Sequence, residues 1–309
     1  MEFFVYVPLA ASVLLGIAAR PLARRLKPAV SVGLLVSTGG ALALASCWAL
    51  VLLASTVIGQ LPIVAWAGRW SPTQLAKFDP VPYSVGWIAV VLLCVIMIAT
   101  LRTAYRRIRG TWSAWQTCRD LGSGPGGLVV VPDDIPSAVA IPGRRGRVVV
   151  SQGMLRALDP DQRRALHSHE RSHLRHRHDL WVSGAYLIVC LDPFVYRIRG
   201  AVNEAVERWA DEDAAQEVED RALTAEAIGQ ASLATSRARR TRGTRTVALA
   251  ATTGSVVVRI DALLAPRPRA RPSLSIAVLG LVVLSALGAV LGGYDVDRLF
   301  DAAIRASHL

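Results

Sequence analysis

The chain has 309 residues, 52% of them hydrophobic, and a formal net charge of +12. That apolar fraction exceeds what a single buried core needs and points to lipid-facing surface. The arginines stand in blocks beside apolar runs, and no nucleic-acid recognition motif accompanies them, so direct nucleic-acid binding is not expected.

Four apolar runs have the length and composition of membrane spans. The first, residues 3–19, has no basic region before it and charges after it, the reverse of a secretory signal. The second covers about 30–58, the third 83–101, and the fourth 274–293. None carries a charged side chain in its interior. Four positive residues in "RPLARRLK" (20–27) and four in "RTAYRRIRG" (102–110) contrast with the loop at 59–82, where Arg69 and Lys77 are offset by Asp79. Arg267, Arg269 and Arg271 precede the last span. The positive-inside bias predicts a multi-pass protein of the cell membrane, both termini outside and residues 102–273 in the cytoplasm.

Cys47, Cys94, Cys118 and Cys190 show no paired spacing, so neither a disulfide framework nor a cysteine zinc site is expected. The apolar stretch 180–196 is short and interrupted by Asp192-Pro193, which favours a buried or membrane-grazing helix over a fifth span. The arginine-rich stretch 237–246 reads as a flexible cytoplasmic loop, solvated or in contact with lipid headgroups, and the 16 residues from 294 to 309 as a short tail outside.

Between the third and fourth spans, residues 135–151 read as two short strands turning at Pro142-Gly143, with a Gly-Arg-Arg-Gly tip. Asp159-Pro160 then opens a helix at N-cap and N1, with no breaker until past Asp179. Five of the six histidines fall within 167–179. His169 and His173 are one helical turn apart on one face and can converge on a single ion. Glu170 projects about 100° away, placed to reach a metal-bound water as general base, the His-Glu-x-x-His arrangement. His167, His176 and His178 read as surface residues of a basic helix. Arg171 is a departure, since this position of the motif is usually uncharged; its side chain is expected to meet solvent or a phosphate.

A catalytic zinc requires a third protein ligand and an open position. The helix 202–216 offers Glu204, Glu207 and Asp211 along one stripe, and spacing does not choose between the two glutamates.

The strand pair, the His-Glu-x-x-His helix and the following "EAVERWADEDAA" together resemble the core of gluzincin membrane proteases. With three spans before that core and one after, the chain most resembles the BlaR/MecR-type family of integral-membrane zinc metallopeptidases; HtpX-type quality-control proteases share the core. The resemblance implies a mainly α integral membrane protein with an α+β zincin-like domain, divided as spans (1–101), cytoplasmic metallopeptidase domain (102–273), fourth span (274–293) and tail (294–309). It implies Zn2+ held by His169, His173 and Glu207, with Glu170 as general base and Asp211 orienting a histidine ligand. It also implies that an extended substrate pairs with Ser137, Ala138, Val139, Ala140 and Ile141. The substrate so implied is a cytosolic DNA-binding repressor cleaved in a signalling response, with HtpX-like quality control as the alternative. Relatives that sense antibiotics carry a large penicillin-binding domain outside; here only the short tail follows the last span, so direct beta-lactam sensing is not expected. A non-enzymatic metal-binding sensor is the reading from another class, and it expects ionisable residues inside the spans, which these runs lack.

Overall fold

The computed structural model describes residues 4–119, 127–143, 146–241, 248–266 and 271–307. It is mostly helical: α1 (Val7–Arg25), α2 (Pro28–Gly59), short α3 (Pro62–Gly68) and α4 (Pro72–Phe78), then α5 (Tyr83–Arg119). Strands β1 (Leu128–Val131), β2 (Ala138–Ile141) and β3 (Arg147–Ser151) follow, with α6 (Gln152–Ala157), α7 (Pro160–Arg175) and α8 (His178–Leu191) after them. The chain ends with α9 (Arg197–Glu217), α10 (Arg221–Thr241), α11 (Ala248–Leu264) and α12 (Pro272–Ser307).

Among the described residues, four helices are long and apolar enough to cross a membrane: Phe4–Arg25, Pro28–Gly59, Tyr83–Gln116 and Pro272–Ala306. Two of them extend well beyond the apolar runs that announce them. The basic segment 102–110, expected as a loop, continues α5, because alanine and arginine favour helix and Gly110 alone does not break it. The segment after 293, expected as a free tail, continues α12 to Ser307. Leu299 and Ala303 are buried there against Leu75 of α4, and Phe300 meets Trp70 edge-on at 4.9 Å. The helix propensity of "DRLFDAAIRA" and this apolar stripe explain why it does not hang free.

The largest apolar cluster joins α1, α2, α8 and α9, with Val278 of α12. The face that α1 buries there, Ala11, Ser12, Leu15, Gly16, Ala19 and Ala23, is mostly small residues, which lets backbones approach without a driving force from water. α8 is 14 residues, about 21 Å at 1.5 Å per residue, too short to cross a hydrocarbon core. It runs beside α2, where Gly184 meets Val36 and the Cys47 thiol donates to the Leu191 carbonyl at 3.6 Å. A 3-10 turn, Pro193–Val195, reverses the chain, and Asp192 caps it by accepting from the Phe194 N–H at 3.0 Å. Gly16 is required at this turn, since a Cβ there would collide with the Phe194 carbonyl. α9 returns beside α1, where Arg208 donates to the Ala23 carbonyl at 2.9 Å and Arg24 pairs with Glu204 at 2.9 Å. Residues 178–217 are therefore packed into the helical bundle.

The sheet is small, in order β1-β3-β2. β2 and β3 are antiparallel, as the turn at Pro142-Gly143 predicts; Arg144 and Arg145 of its tip lie outside the described residues. β1, not anticipated, pairs with β3 in parallel. Of the stretch read as a loop at 237–246, residues 237–241 belong to α10 and the rest lie outside the described residues, as do Arg267 and Arg269.

Candidate metal centre

Helix α7 begins on a complete capping box. Asp159 Oδ1 accepts from the N–H groups of Asp161 and Gln162, each at 2.9 Å, while Gln162 accepts from the Asp159 N–H at 3.3 Å. Such a cap contributes about 1 kcal/mol and fixes where the first turn begins, hence which face the histidines occupy. The buried stripe of α7 is Ala165, Ser168, His169 and Ser172, at i, i+3, i+4 and i+7. Three of these four are polar, so the opposing helix must supply partners.

That helix is α9, and it supplies them one by one. Ser168 donates to Glu217 at 2.8 Å and Ser172 to Asp213 at 2.7 Å. His169 Nδ1 lies 2.9 Å from Asp211 Oδ1, off the line of a straight hydrogen bond. On its other side, His169 Nε2 stands 3.2 Å from His173 Nε2 and 3.6 Å from a Glu207 oxygen, and His173 Nε2 lies 3.7 Å from the other Glu207 oxygen. Donor atoms held at about 2.1 Å around a tetrahedral zinc stand roughly 3.4 Å from one another. Two imidazoles and a carboxylate at 3.2–3.7 Å match that spacing, so the residues fit the ion. Glu204, the alternative third ligand, points to Arg24 instead.

The charges around this cluster are tightly set. Burial opposes ionisation of His169, yet Asp211 and Glu207 outweigh it and raise the imidazole to about 10. Burial and the neighbouring His169 push His173 down to about 4, leaving it neutral with a lone pair to give. Burial also works against the Glu207 carboxylate, but His169 and Arg259 hold it well below the usual range. Glu170 goes the other way. Burial raises its carboxyl, although it accepts a hydrogen bond from the Ala140 N–H of β2.

Two partners were not legible in the sequence. Arg259 of α11 grips Asp211 with two nitrogens, at 2.6 and 2.8 Å, and reaches Glu207 at 3.0 Å with a third. The signal for it was a lone arginine inside the apolar run "SVVVRIDALL", which demands a buried carboxylate. The second is His178, expected at the surface and in fact only 1% exposed. The reason is a helix break. α7 stops at Arg175, Arg177 adopts a left-handed φ of 50°, and α8 starts at His178. The chain doubles back, bringing His178 Nδ1 to 3.0 Å from His173 Nδ1. His176, also expected at the surface, is half-buried, bonded to Asp213 at 2.8 Å and stacked on Trp209 at 4.5 Å. No donor of His167 joins the cluster.

A cavity of about 400 Å3 opens onto His169, Glu170 and Glu207. Its remaining wall mixes apolar side chains, among them Met154, Ala227 and Ile228, with the hydroxyls of Thr224, Ser232 and Thr235 and the Arg259 guanidinium. Ser137 and Ala138 line it, while Val139, Ala140 and Ile141 continue β2 away from it. The Ser151 N–H donates to the Ser137 carbonyl at 2.9 Å. By antiparallel alternation the backbone groups of Ala138 and Ala140 then point to the free edge of the strand.

The family model of Peptidase family M48 matches residues 125–255, a stretch that contains the whole cluster except Arg259. It supports a metallopeptidase of the zincin type and does not single out the BlaR/MecR-type subgroup. No curated protein and no solved structure matches the chain.

Proposed function

We propose that this chain is a membrane-bound zinc endopeptidase whose metal is held by His169, His173 and Glu207. The observation that carries the reading is the convergence of those three side chains beside a half-buried Glu170, in a cavity bordered by an edge strand. Zinc bound there would supply Lewis acidity, bringing the pKa of water towards about 7 and polarising a peptide carbonyl. Glu170 takes the proton of the attacking water and returns it to the leaving amine. Its raised carboxyl suits it to both directions of that transfer near neutral pH. Asp211 holds His169 and His178 holds His173, so each imidazole presents Nε2 to the metal. The outward-facing N–H and carbonyl of Ala138 and the carbonyl of Ala140 hold an extended substrate by strand addition, the Ala140 N–H being taken by Glu170.

The basic ends of α1 and α5 support a site on the cytoplasmic side, with both termini outside. The domain boundaries follow the same rule, with residues 102–273 carrying the catalytic side chains. The substrate we favour is a cytosolic DNA-binding repressor whose cleavage relieves repression, as the BlaR/MecR-type resemblance implies.

One observation favours quality control of membrane proteins as the second reading. α9 carries Glu207 and, one turn earlier, Glu204, which is tied to Arg24 at the end of a candidate span. A substrate still embedded in the bilayer is therefore within reach of the site. Purified chain incubated with candidate repressors and with misfolded membrane proteins separates the two. Cleavage of one repressor at a few sharp sites supports the first; broad degradation of the membrane proteins supports the second.

A further inference from the structure

Behind α7, on the side away from the metal centre, lies a second cavity of about 920 Å3. One wall is a single stripe of α5, from Ala104 to Trp115. The others are the start of α8, Pro142, Gly143 and Gly146 beside the β2–β3 turn, and the C-terminal end of α7. The stripe begins three residues past the third apolar run and climbs about 17 Å at 1.5 Å per residue, so the cavity opens at the level where the hydrocarbon of a bilayer gives way to headgroups.

Among the described residues, four guanidinium groups line this cavity, those of Arg107, Arg171, Arg175 and Arg177, against one carboxylate, Asp179. Arg175 is shared with Glu217 at 3.2 Å, and Arg107 lies over the Tyr186 ring at 3.5 Å. Among the described residues, the side chains of Arg171 and Arg177 make no hydrogen bond, and the Arg171 charge acts on Glu217 only at longer range. The walls below and between them are apolar, and Ile108, Trp112 and Leu180 are each more than half exposed. A small inorganic anion satisfies the arginines and leaves those apolar walls wet. An apolar molecule covers the walls and leaves the cations unpaired. An amphiphile with an anionic head satisfies both.

We propose that this cavity binds an anionic phospholipid from the leaflet that the basic end of α5 faces. Arg171 and Arg177 hold the phosphate through charge-assisted hydrogen bonds, and the acyl chains pass between Ile108 and Leu187 into the bilayer. Arg171 thereby has a role that the metal centre does not give it. It stands one residue after Glu170, about 100° around the same helix, so the lipid touches the back of the helix that carries the site. The proposal rests on the four apolar helices lying in a bilayer, and is independent of the peptidase reading.

The test uses the full chain purified in detergent and titrated with phosphatidylglycerol or phosphatidylcholine of identical acyl chains, with retention read by native mass spectrometry. We expect phosphatidylglycerol to be retained at least tenfold more strongly. The Arg171→Gln/Arg177→Gln double variant should lose that preference, while Arg102→Gln/Arg109→Gln, with the same charge change on the same side but outside the cavity, should keep it. Equal loss in both double variants overturns the proposal in favour of a diffuse basic belt. Displacement of the lipid by millimolar inorganic phosphate overturns it in favour of a free-anion site. If the cavity variant does not fold, a photoactivatable phosphatidylglycerol on the unaltered chain decides. Labels concentrated in 104–115 and 171–187 support the pocket, and labels spread equally over α1 and α12 contradict it. Glu170→Gln should leave lipid retention unchanged, which separates this test from that of the peptidase.

Discussion

His178 Nδ1 lies 3.0 Å from His173 Nδ1, and the direction of the bond between them follows from the metal centre. If His173 Nε2 is to give its lone pair, the ring proton sits on Nδ1, and His178 must accept it. Burial and the neighbouring His173 push His178 down to about 3, so it is neutral and able to accept. Ring partners of metal-binding histidines contribute about 10–100-fold to affinity. His178→Phe should weaken zinc binding by that factor in a chelator competition; unchanged affinity would remove His178 from the site.

The two glutamates that spacing left open now make opposite predictions. Glu207→Gln should abolish stoichiometric zinc, because the cluster loses one of its three donors. Glu204→Gln should keep full zinc occupancy, since the Glu204 carboxylate bonds to Arg24, whose side chain is 57% exposed, and not to the cluster. Elemental analysis of the two purified variants decides, and zinc loss in Glu204→Gln alone would reverse the assignment.

Arg259 neutralises two carboxylates at once. Removing one member of a buried ion network while leaving the others in place costs about 3–5 kcal/mol. Arg259→Ala should therefore unfold well below the parent chain on heating in detergent. Arg259→Lys should fall between the two, since an ammonium keeps the charge but not the forked grip on Asp211. An Arg259→Ala variant as stable as the parent would show that the clamp is dispensable.

Much of this was legible beforehand because it depends on local periodicity. The four apolar runs, the Asp159-Pro160 start and the one-turn spacing of His169 and His173 are properties of short windows. The pairing of Ser168, Ser172 and His176 with Asp213 and Glu217 was not, since it depends on how two helices separated by α8 dock. The break at His176-Arg177 was hidden for another reason. Neither glycine nor proline marks it, and the residue that takes the left-handed conformation is an arginine, which rarely adopts it.

The same docking gives a pH dependence. Its bond from Ser168, aided by Arg171 and Arg175 against partial burial, holds the Glu217 carboxyl below its ordinary range. A depressed carboxyl contributes stability above its unfolded pKa, about 4.3, and loses it as pH falls through the folded value. The Glu217→Gln variant should thus melt slightly lower than the parent at neutral pH, and the gap should close in acid. With 44% of the side chain exposed, the effect belongs on the surface-pair scale of roughly 1 kcal/mol or less. A gap that widens on acidification would show that Glu217 is not charged in the folded chain.

On the proposed mechanism, Glu170 moves the proton in a metal-dependent peptide hydrolysis. The direct measurement is turnover of one cleaved peptide by the parent chain and by Glu170→Gln, each verified to carry equal zinc. General acid–base groups contribute about 10²–10⁴-fold, so the variant should be slower by at least that lower bound while retaining its metal. Equal turnover at equal zinc would contradict the account.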